Sequence, residues 1–155
     1  PWSPPAGIQF TVVWSGVAAS TADLLRAVRD WGSRDPHGLR EALSEIEGLS
    51  QAIASGSPAD PSAVIHGFRR HSEVLAAMGR AAGVPLVPEA VAALVRLAED
   101  HGGGAKPSGA GGGDCTVAAF ADADARGRFA EAARALGMMP IAVAPAMRGV
   151  HAVQA

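Results

Sequence analysis

The glycine-rich stretch GGGAKPSGAGGGD, residues 102–114, carries the clearest set of chemical groups in the sequence. Glycine has no side chain, so backbone N–H groups can converge on an anion and the chain can adopt positive φ angles. Lys106 adds a positive charge, and Ser108 adds a hydroxyl. Composition alone is equally typical of a flexible linker. Because only a short stretch follows, beginning at once with a predicted strand, we expect an anion-binding loop built into one domain.

The spacing within this stretch matches neither of the two common nucleotide-binding loops. The pattern GxxxxGK[ST] places lysine after its second glycine, whereas Lys106 precedes the GAGGG core. The pattern GxGxxG follows a strand, whereas this stretch follows a predicted helix. Spacing alone therefore indicates an anion site without identifying the molecule that carries the anion.

Three hydroxyl residues, Ser15, Ser20 and Thr21, follow the first predicted strand. Short side chains with an oxygen often close turns and cap helix N-termini, because that oxygen accepts a hydrogen bond from an unpaired backbone N–H. From position alone, the prediction for these three residues is a local structural role.

The third predicted helix carries Arg69, Arg70 and His71 in succession. Successive helical residues turn by about 100°, so these side chains cannot all face one way. We expect a solvated face, with the alternative that one of them lines a substrate cleft. His66 and His71 are not at the i,i+4 spacing that brings two imidazoles to one metal, so no metal site is predicted. Cys115 is expected to pack as a small apolar residue.

Composition limits the class of protein. The 155 residues have the size of one domain, and 48% apolar residues are enough for a core. With 18% charged residues and a net charge of −2, the chain offers no broad electrostatic case for binding nucleic acid or a membrane surface. A single cysteine leaves no internal disulfide, no apolar run is long enough to span a bilayer, and the cytoplasm is the expected compartment.

Periodicity and turn residues predict nine elements and an α+β fold with a small, mostly antiparallel sheet. The predicted elements are a strand at Ile8–Trp14, a helix from Ser20 or Thr21 to Gly32, helices at Pro36–Ser55, Ser62–Ala82 and Pro88–Asp100, a strand from Cys115, a helix ending at Gly137, and strands at Met139–Val143 and Arg148–Val153 around a turn at Ala144–Met147. Asp60 is expected to cap the third helix.

Two segments resemble conserved motifs of a known enzyme family. KPSGAGGGDC, from Lys106 to Cys115, resembles the third motif of the GHMP kinases, and its Lys-Pro-Ser is most like the phosphomevalonate kinases. VVWSGVAAST, from Val12 to Thr21, resembles the segment of those kinases in which a strand leads into a capped helix. A looser resemblance covers HSEVLAAMGRAAGVP, from His71 to Pro85.

The resemblance implies that residues 1–155 form a GHMP kinase C-terminal domain, with a ferredoxin-like sheet and a helical layer. It also implies that the family's N-terminal ATP-binding half is absent. The implied cofactors are ATP and Mg²⁺, bound mainly by that half. The implied partners are a phosphorylated small molecule and the missing half or a complementary chain.

The implied reaction is transfer of the ATP γ-phosphoryl group onto 5-phosphomevalonate, in the mevalonate route to isoprenoids, with the isolated chain inactive and no confident catalytic residue in it. The phosphate-binding and substrate-binding residues implied are Lys106, Ser108, Gly109, Ala110, Gly111, Gly112, Gly113 and Asp114. Asp114 is expected to tie the loop down by accepting backbone hydrogen bonds, and Ser15, Ser20 and Thr21 to lie near the acceptor phosphate. The alternatives are another GHMP kinase, such as a mevalonate kinase, and a non-catalytic binding module of the same fold.

Overall fold

The computed structural model describes residues 4–57 and 60–143. The elements in chain order are β1 (Gln9–Trp14), α1 (Thr21–Arg34), α2 (Pro36–Ser55), α3 (Ser62–Ala82), α4 (Glu89–Asp100), β2 (Gly104–Pro107), β3 (Cys115–Phe120), α5 (Ala123–Ala135) and β4 (Met139–Ile141). The α+β prediction is confirmed, as are the bounds predicted for α2 and α3. The predicted turn at 144–147 and strand at 148–153 lie outside the described residues.

The four strands of the described residues form one antiparallel sheet in the order β2-β3-β1-β4. Each half of the fold is a strand–helix–strand unit split by a strand from the other half, which is the ferredoxin-like arrangement. The central pair joins strands that are far apart in the sequence, because Trp14 of β1 lies opposite Cys115 of β3. The predicted ferredoxin-like sheet with a helical layer is therefore confirmed.

The first helix runs past the glycine that was predicted to end it. Gly32 lies inside α1, which continues to Arg34. A Cβ atom at Gly32 would meet the terminal Cδ2 of Leu39 on α2, so a larger residue there would require that side chain to move. The chain turns at Asp35, whose Oδ1 accepts a hydrogen bond from the Gly38 N–H at 2.9 Å.

The sequence predicts a loop for the whole glycine-rich stretch, but part of it forms a strand. Its first three glycines, Gly102 to Gly104, lead into β2, which begins at Gly104 and pairs with β3. Gly103 and Gly104 are buried, and glycine is needed at both because a Cβ atom would strike the Phe120 ring at the first position and the Ile65 carbonyl oxygen at the second. Only Ser108 to Asp114 form the loop between the strands.

Both faces of the sheet carry helices. One face packs with α4 and α5 into the cluster Val13, Leu94, Ala98, Ala105, Ala118, Phe120, Ala125, Phe129 and Ala133. The other face packs with α3 through Val64, Ile65, Phe68 and Ala119. Within residues 4–57 and 60–143, no helix is long and apolar enough to cross a bilayer.

The edge strand β2 is covered by α3 along its length. Ser72 is only 3% exposed, and its hydroxyl donates to the Ala105 carbonyl oxygen at 2.8 Å. Arg69 Nε donates to the Gly103 carbonyl oxygen at 2.7 Å, just before the strand begins. An uncovered edge strand is left with unpaired backbone groups. These two bonds pair carbonyl oxygens at the edge of the sheet and hold β2 in position against α3.

The buried hydroxyl of Thr116 on β3 predicts a stabilising substitution. It is fully buried, and its hydroxyl has no hydrogen-bond partner among the described residues. Valine has the same shape without the polar group, so Thr116→Val should raise the free energy of unfolding by about 1 kcal/mol. Urea unfolding of the two proteins measures the change.

The matched control is Thr11→Val on the neighbouring strand β1. Thr11 is only 6% exposed, but it lines a pocket beside α5 and its hydroxyl is not among the buried groups of the described residues that lack a partner, so its replacement should change the unfolding free energy by no more than about 0.5 kcal/mol. If the Thr116→Val protein is no more stable than the parent, the buried hydroxyl does not lower the free energy of unfolding.

Candidate functional site

The loop from Ser108 to Asp114 lies between two other connections of the chain. The Gly112 N–H donates to the Leu86 carbonyl oxygen at 2.8 Å, on the connection between α3 and α4. The Asp114 N–H donates to the Val17 carbonyl oxygen at 2.6 Å, on the connection between β1 and α1. The loop is therefore fixed by backbone hydrogen bonds on both sides.

Four successive residues of the loop have positive φ: Gly111 at 87°, Gly112 at 81°, Gly113 at 135° and Asp114 at 54°. A Cβ atom at Gly111 would also strike the Leu86 carbonyl oxygen, and one at Gly113 would lie 2.6 Å from the Val17 carbonyl oxygen. Glycine is thus required at Gly111 and Gly113 both by conformation and by space.

The remaining loop amides are the groups that could meet an anion. Among the described residues, the N–H groups of Gly109, Ala110, Gly111 and Gly113 form no hydrogen bond. Gly109 and Ala110 are exposed, as is Ser108, whose N–H donates to the Cys115 carbonyl oxygen at 2.9 Å. The exposed tip therefore offers two free amides and one hydroxyl to a phosphate, while Gly112 is already engaged.

Asp114 ties the loop down through its backbone groups. Besides the bond from the Asp114 N–H to Val17, the Asp114 carbonyl oxygen accepts a hydrogen bond from the Ser15 N–H at 2.8 Å. Its carboxylate is exposed and accepts no hydrogen bond within the described part of the chain. In this same part, no group of three or more His, Cys, Asp or Glu side chains is placed to hold a metal ion.

Lys106 belongs to β2 rather than to the loop. Its Nζ donates to the Pro107 carbonyl oxygen at 2.9 Å and lies 5.6 Å from the centre of the Phe68 ring. Burial lowers the pKa of the ammonium group. The positive charge is therefore held on the α3 side of the sheet, beneath the loop.

The hydroxyl residues Ser15, Ser20 and Thr21 are brought to the same end of the sheet as the loop. Ser15 is buried, and its Oγ accepts from the Val17 N–H at 3.4 Å. Ser20 is the N-cap residue of α1, but its hydroxyl does not cap the helix. The hydroxyl instead bonds the Asp23 carboxylate and, together with Arg26, lowers the pKa of Asp23. Ser20 and Thr21 are exposed.

The three basic residues of α3 point in different directions, and the predicted solvated face holds for only one of them. Arg70 is exposed and bonds Glu45 and Glu73, at 2.6 and 2.7 Å, which joins α2 to α3. Arg69 and His71 are half-buried, so that prediction was wrong for them. His71 lies near Lys106, and its pKa is lowered first by burial and then by the lysine charge.

The loop geometry predicts different effects of alanine at two glycines of the same loop, Gly113 and Gly109. Gly113→Ala should lower the free energy of unfolding by about 2 kcal/mol, because alanine is strained at this φ and meets the Val17 carbonyl. Gly109→Ala has open space and no positive φ, so its effect should stay within about 0.5 kcal/mol. Thermal unfolding compares them, and equal losses would contradict the observed loop.

Comparison with known proteins adds independent evidence. Residues 63–137 match the family model described as GHMP kinases C terminal. The chain is 33% identical to the phosphomevalonate kinase of Streptomyces sp. (strain CL190), in a match that covers 94% of the chain and 40% of that protein. The chain therefore spans less than half of the length of this relative.

Solved structures share the fold over a similar extent. L. major mevalonate kinase in complex with R-mevalonate has a TM-score of 0.71 at 20% identity, covering 87% of this chain and 40% of that one. Streptococcus pneumoniae phosphomevalonate kinase in complex with phosphomevalonate and AMPPNP has a TM-score of 0.66 at 22% identity, covering 87% and 39%. The fold alone thus does not distinguish the acceptors. The family match begins on α3, takes in β2, the glycine loop and β3, and ends after α5, so the chain carries a C-terminal domain of the GHMP kinases.

Proposed function

We propose that this chain is the C-terminal half of an ATP-dependent phosphomevalonate kinase, which transfers the γ-phosphoryl group of ATP to 5-phosphomevalonate and yields 5-diphosphomevalonate and ADP. The observation that carries the proposal is the exposed tip of the glycine loop, with free amides at Gly109 and Ala110 held on a rigid base. The identity to the Streptomyces enzyme favours this acceptor over mevalonate. The cytoplasm remains the predicted compartment.

The chemistry asked of this half is positioning and charge stabilisation. Phosphoryl transfer spreads negative charge over the transferred group, and fixed N–H donors stabilise that charge without having to reorganise. The amides of Gly109 and Ala110 and the Ser108 hydroxyl would supply such donors, with Lys106 adding positive charge nearby. The hydroxyl residues at the start of α1 lie at the same end and remain proposed contacts of the acceptor.

Magnesium is not assigned to this chain. ATP is normally used with Mg²⁺, which neutralises phosphate charge when bound. The described residues form no cluster of three potential ligands, and the Asp114 carboxylate stands alone at the loop. The family resemblance assigns magnesium mainly to the N-terminal half, and the roles given to the loop groups do not depend on a metal ion held by this chain.

The loop covers one side of a reacting phosphate, so the chain alone should not turn over. We expect no ADP release from the 155-residue chain with ATP and 5-phosphomevalonate. Activity should appear in the complete kinase, whether its N-terminal ATP-binding half is on the same polypeptide or is a copurifying chain. The coupled ADP assay should be run with 5-phosphomevalonate and mevalonate in parallel, after intact mass has shown which polypeptides are present.

Each outcome of that assay has one meaning. Turnover with 5-phosphomevalonate by the complete protein supports the proposal, whereas turnover with mevalonate alone reassigns the acceptor. Turnover by the isolated chain contradicts its predicted inactivity. Binding of phosphate compounds without turnover by any complete form would favour a non-catalytic module of the same fold.

A further inference from the structure

A basic centre lies on the α3 side of the sheet, below the glycine loop. It consists of the Lys106 ammonium group, which lies over the Phe68 ring, and His71, which follows Phe68 by one turn of α3. His71 is close enough to Lys106 for the lysine charge to lower its pKa, although burial is the larger cause. Within the described part of the chain, no carboxylate forms an ion pair with either group.

Such a pair is costly unless something else balances it. A partly buried charge without a counter-ion loses hydration, and an aromatic ring face is a weaker partner than a carboxylate. His71 adds to this cost, because its Nδ1 is buried and has no hydrogen bond to another described residue. Unbalanced, desolvated groups of this kind are typical of sites where a ligand supplies the missing charge.

The two neighbouring cations on α3 are bonded to groups outside this centre. Arg69 is bonded to the Gly103 carbonyl oxygen, and Arg70 to Glu45 and Glu73. Lys106 Nζ also donates to one carbonyl oxygen, that of Pro107 at 2.9 Å, but an ammonium group has three N–H donors, so two remain for an anion.

Lys106 stands at one end of a short row of side chains that crosses the sheet and is otherwise apolar. Lys106 lies opposite Val117, Val117 opposite Val12, and Val12 opposite Ile141, so the four side chains share one face. Val117 packs against the cluster that contains Phe68, which identifies this face as the one that α3 partly covers. The two valines are half-buried and Ile141 is exposed.

An anionic group beside an apolar strip suits a ligand that has one phosphate and a small carbon skeleton. A nucleotide joins its phosphates to a polar sugar and base, and it is better matched by the free amides of the loop. We propose that Lys106 and His71 bind the phosphate of the phosphorylated acceptor, with its carbon skeleton against Val117 and Val12. The identity of that acceptor rests on the proposed function, whereas the anion site itself does not.

The first test follows the imidazole signals of the 155-residue chain by NMR while inorganic phosphate, and then 5-phosphomevalonate, is added. Without ligand, the pKa of His71 should lie below the ordinary value for histidine, and a bound anion should raise it, because an anion favours the charged ring. His71→Gln assigns the signal. His66, which is exposed on the same helix, is the internal control and should not shift. A His71 pKa unchanged by both compounds would overturn the proposal.

The second test separates this inference from the proposed function. In the complete kinase, His71→Gln should raise the KM for 5-phosphomevalonate about tenfold, with the KM for ATP unchanged, while His66→Gln should change neither. If the kinase uses 5-phosphomevalonate and His71→Gln leaves its KM unchanged, the inference fails. If the kinase uses a different acceptor, the proposed function fails, and the phosphate-dependent NMR shift still decides whether the anion site exists.

A third measurement distinguishes binding from packing at Lys106. Lys106→Met keeps the length of the side chain and removes an unbalanced charge, so the ligand-free chain should unfold at a higher urea concentration than the parent. The stabilisation that phosphate gives to the parent should then be lost. A lower unfolding midpoint with phosphate stabilisation intact would show that the lysine serves the ring contact alone and would refute the proposed role.

Discussion

The left-handed backbone from Gly111 to Asp114 is the constraint on which the arrangement of this domain depends. It lets the loop place N–H groups against the carbonyls of Leu86 and Val17, which belong to connections far apart in the sequence. With the base held on both sides, the free amides at the tip keep their direction. Donors fixed in this way are the ones that stabilise developing charge most effectively, because they need not reorient.

Local signals predicted the helices well because those signals are contained within the helices themselves. Pro36 at the start of α2 and the apolar period of α3 do not depend on distant residues. Asp60 is not the N-cap of α3, which is Pro61, but its carboxylate lies one residue earlier and accepts from the Ser62 N–H at 2.8 Å. The strand β2 was missed because glycine has low strand propensity. Glycine is needed at Gly104 because of the carbonyl oxygen of Ile65, which is distant in the sequence.

The same distinction explains the candidate site. The sequence identified the loop residues through glycine content and family resemblance, and both are local patterns. It could not show that Asp114 acts through its backbone or that the Gly112 amide is already bonded, because both facts depend on connections elsewhere in the chain. Helical periodicity gave His71 a direction distinct from that of Arg70, but only the packing of α3 on β2 places it beside Lys106.

The central strand pair has a further consequence for how the chain reaches its native state. β1 and β3 lie side by side, yet Trp14 and Cys115 are separated by roughly a hundred residues and four helices. Closing so large a loop is entropically costly before any sheet contact repays it, so pairing should follow docking of the helices. During synthesis, β1 leaves the ribosome long before its partner exists, and its apolar residues must wait unpaired. The helical layer that lies between them in sequence is therefore also the part of the chain that brings the two strands within reach.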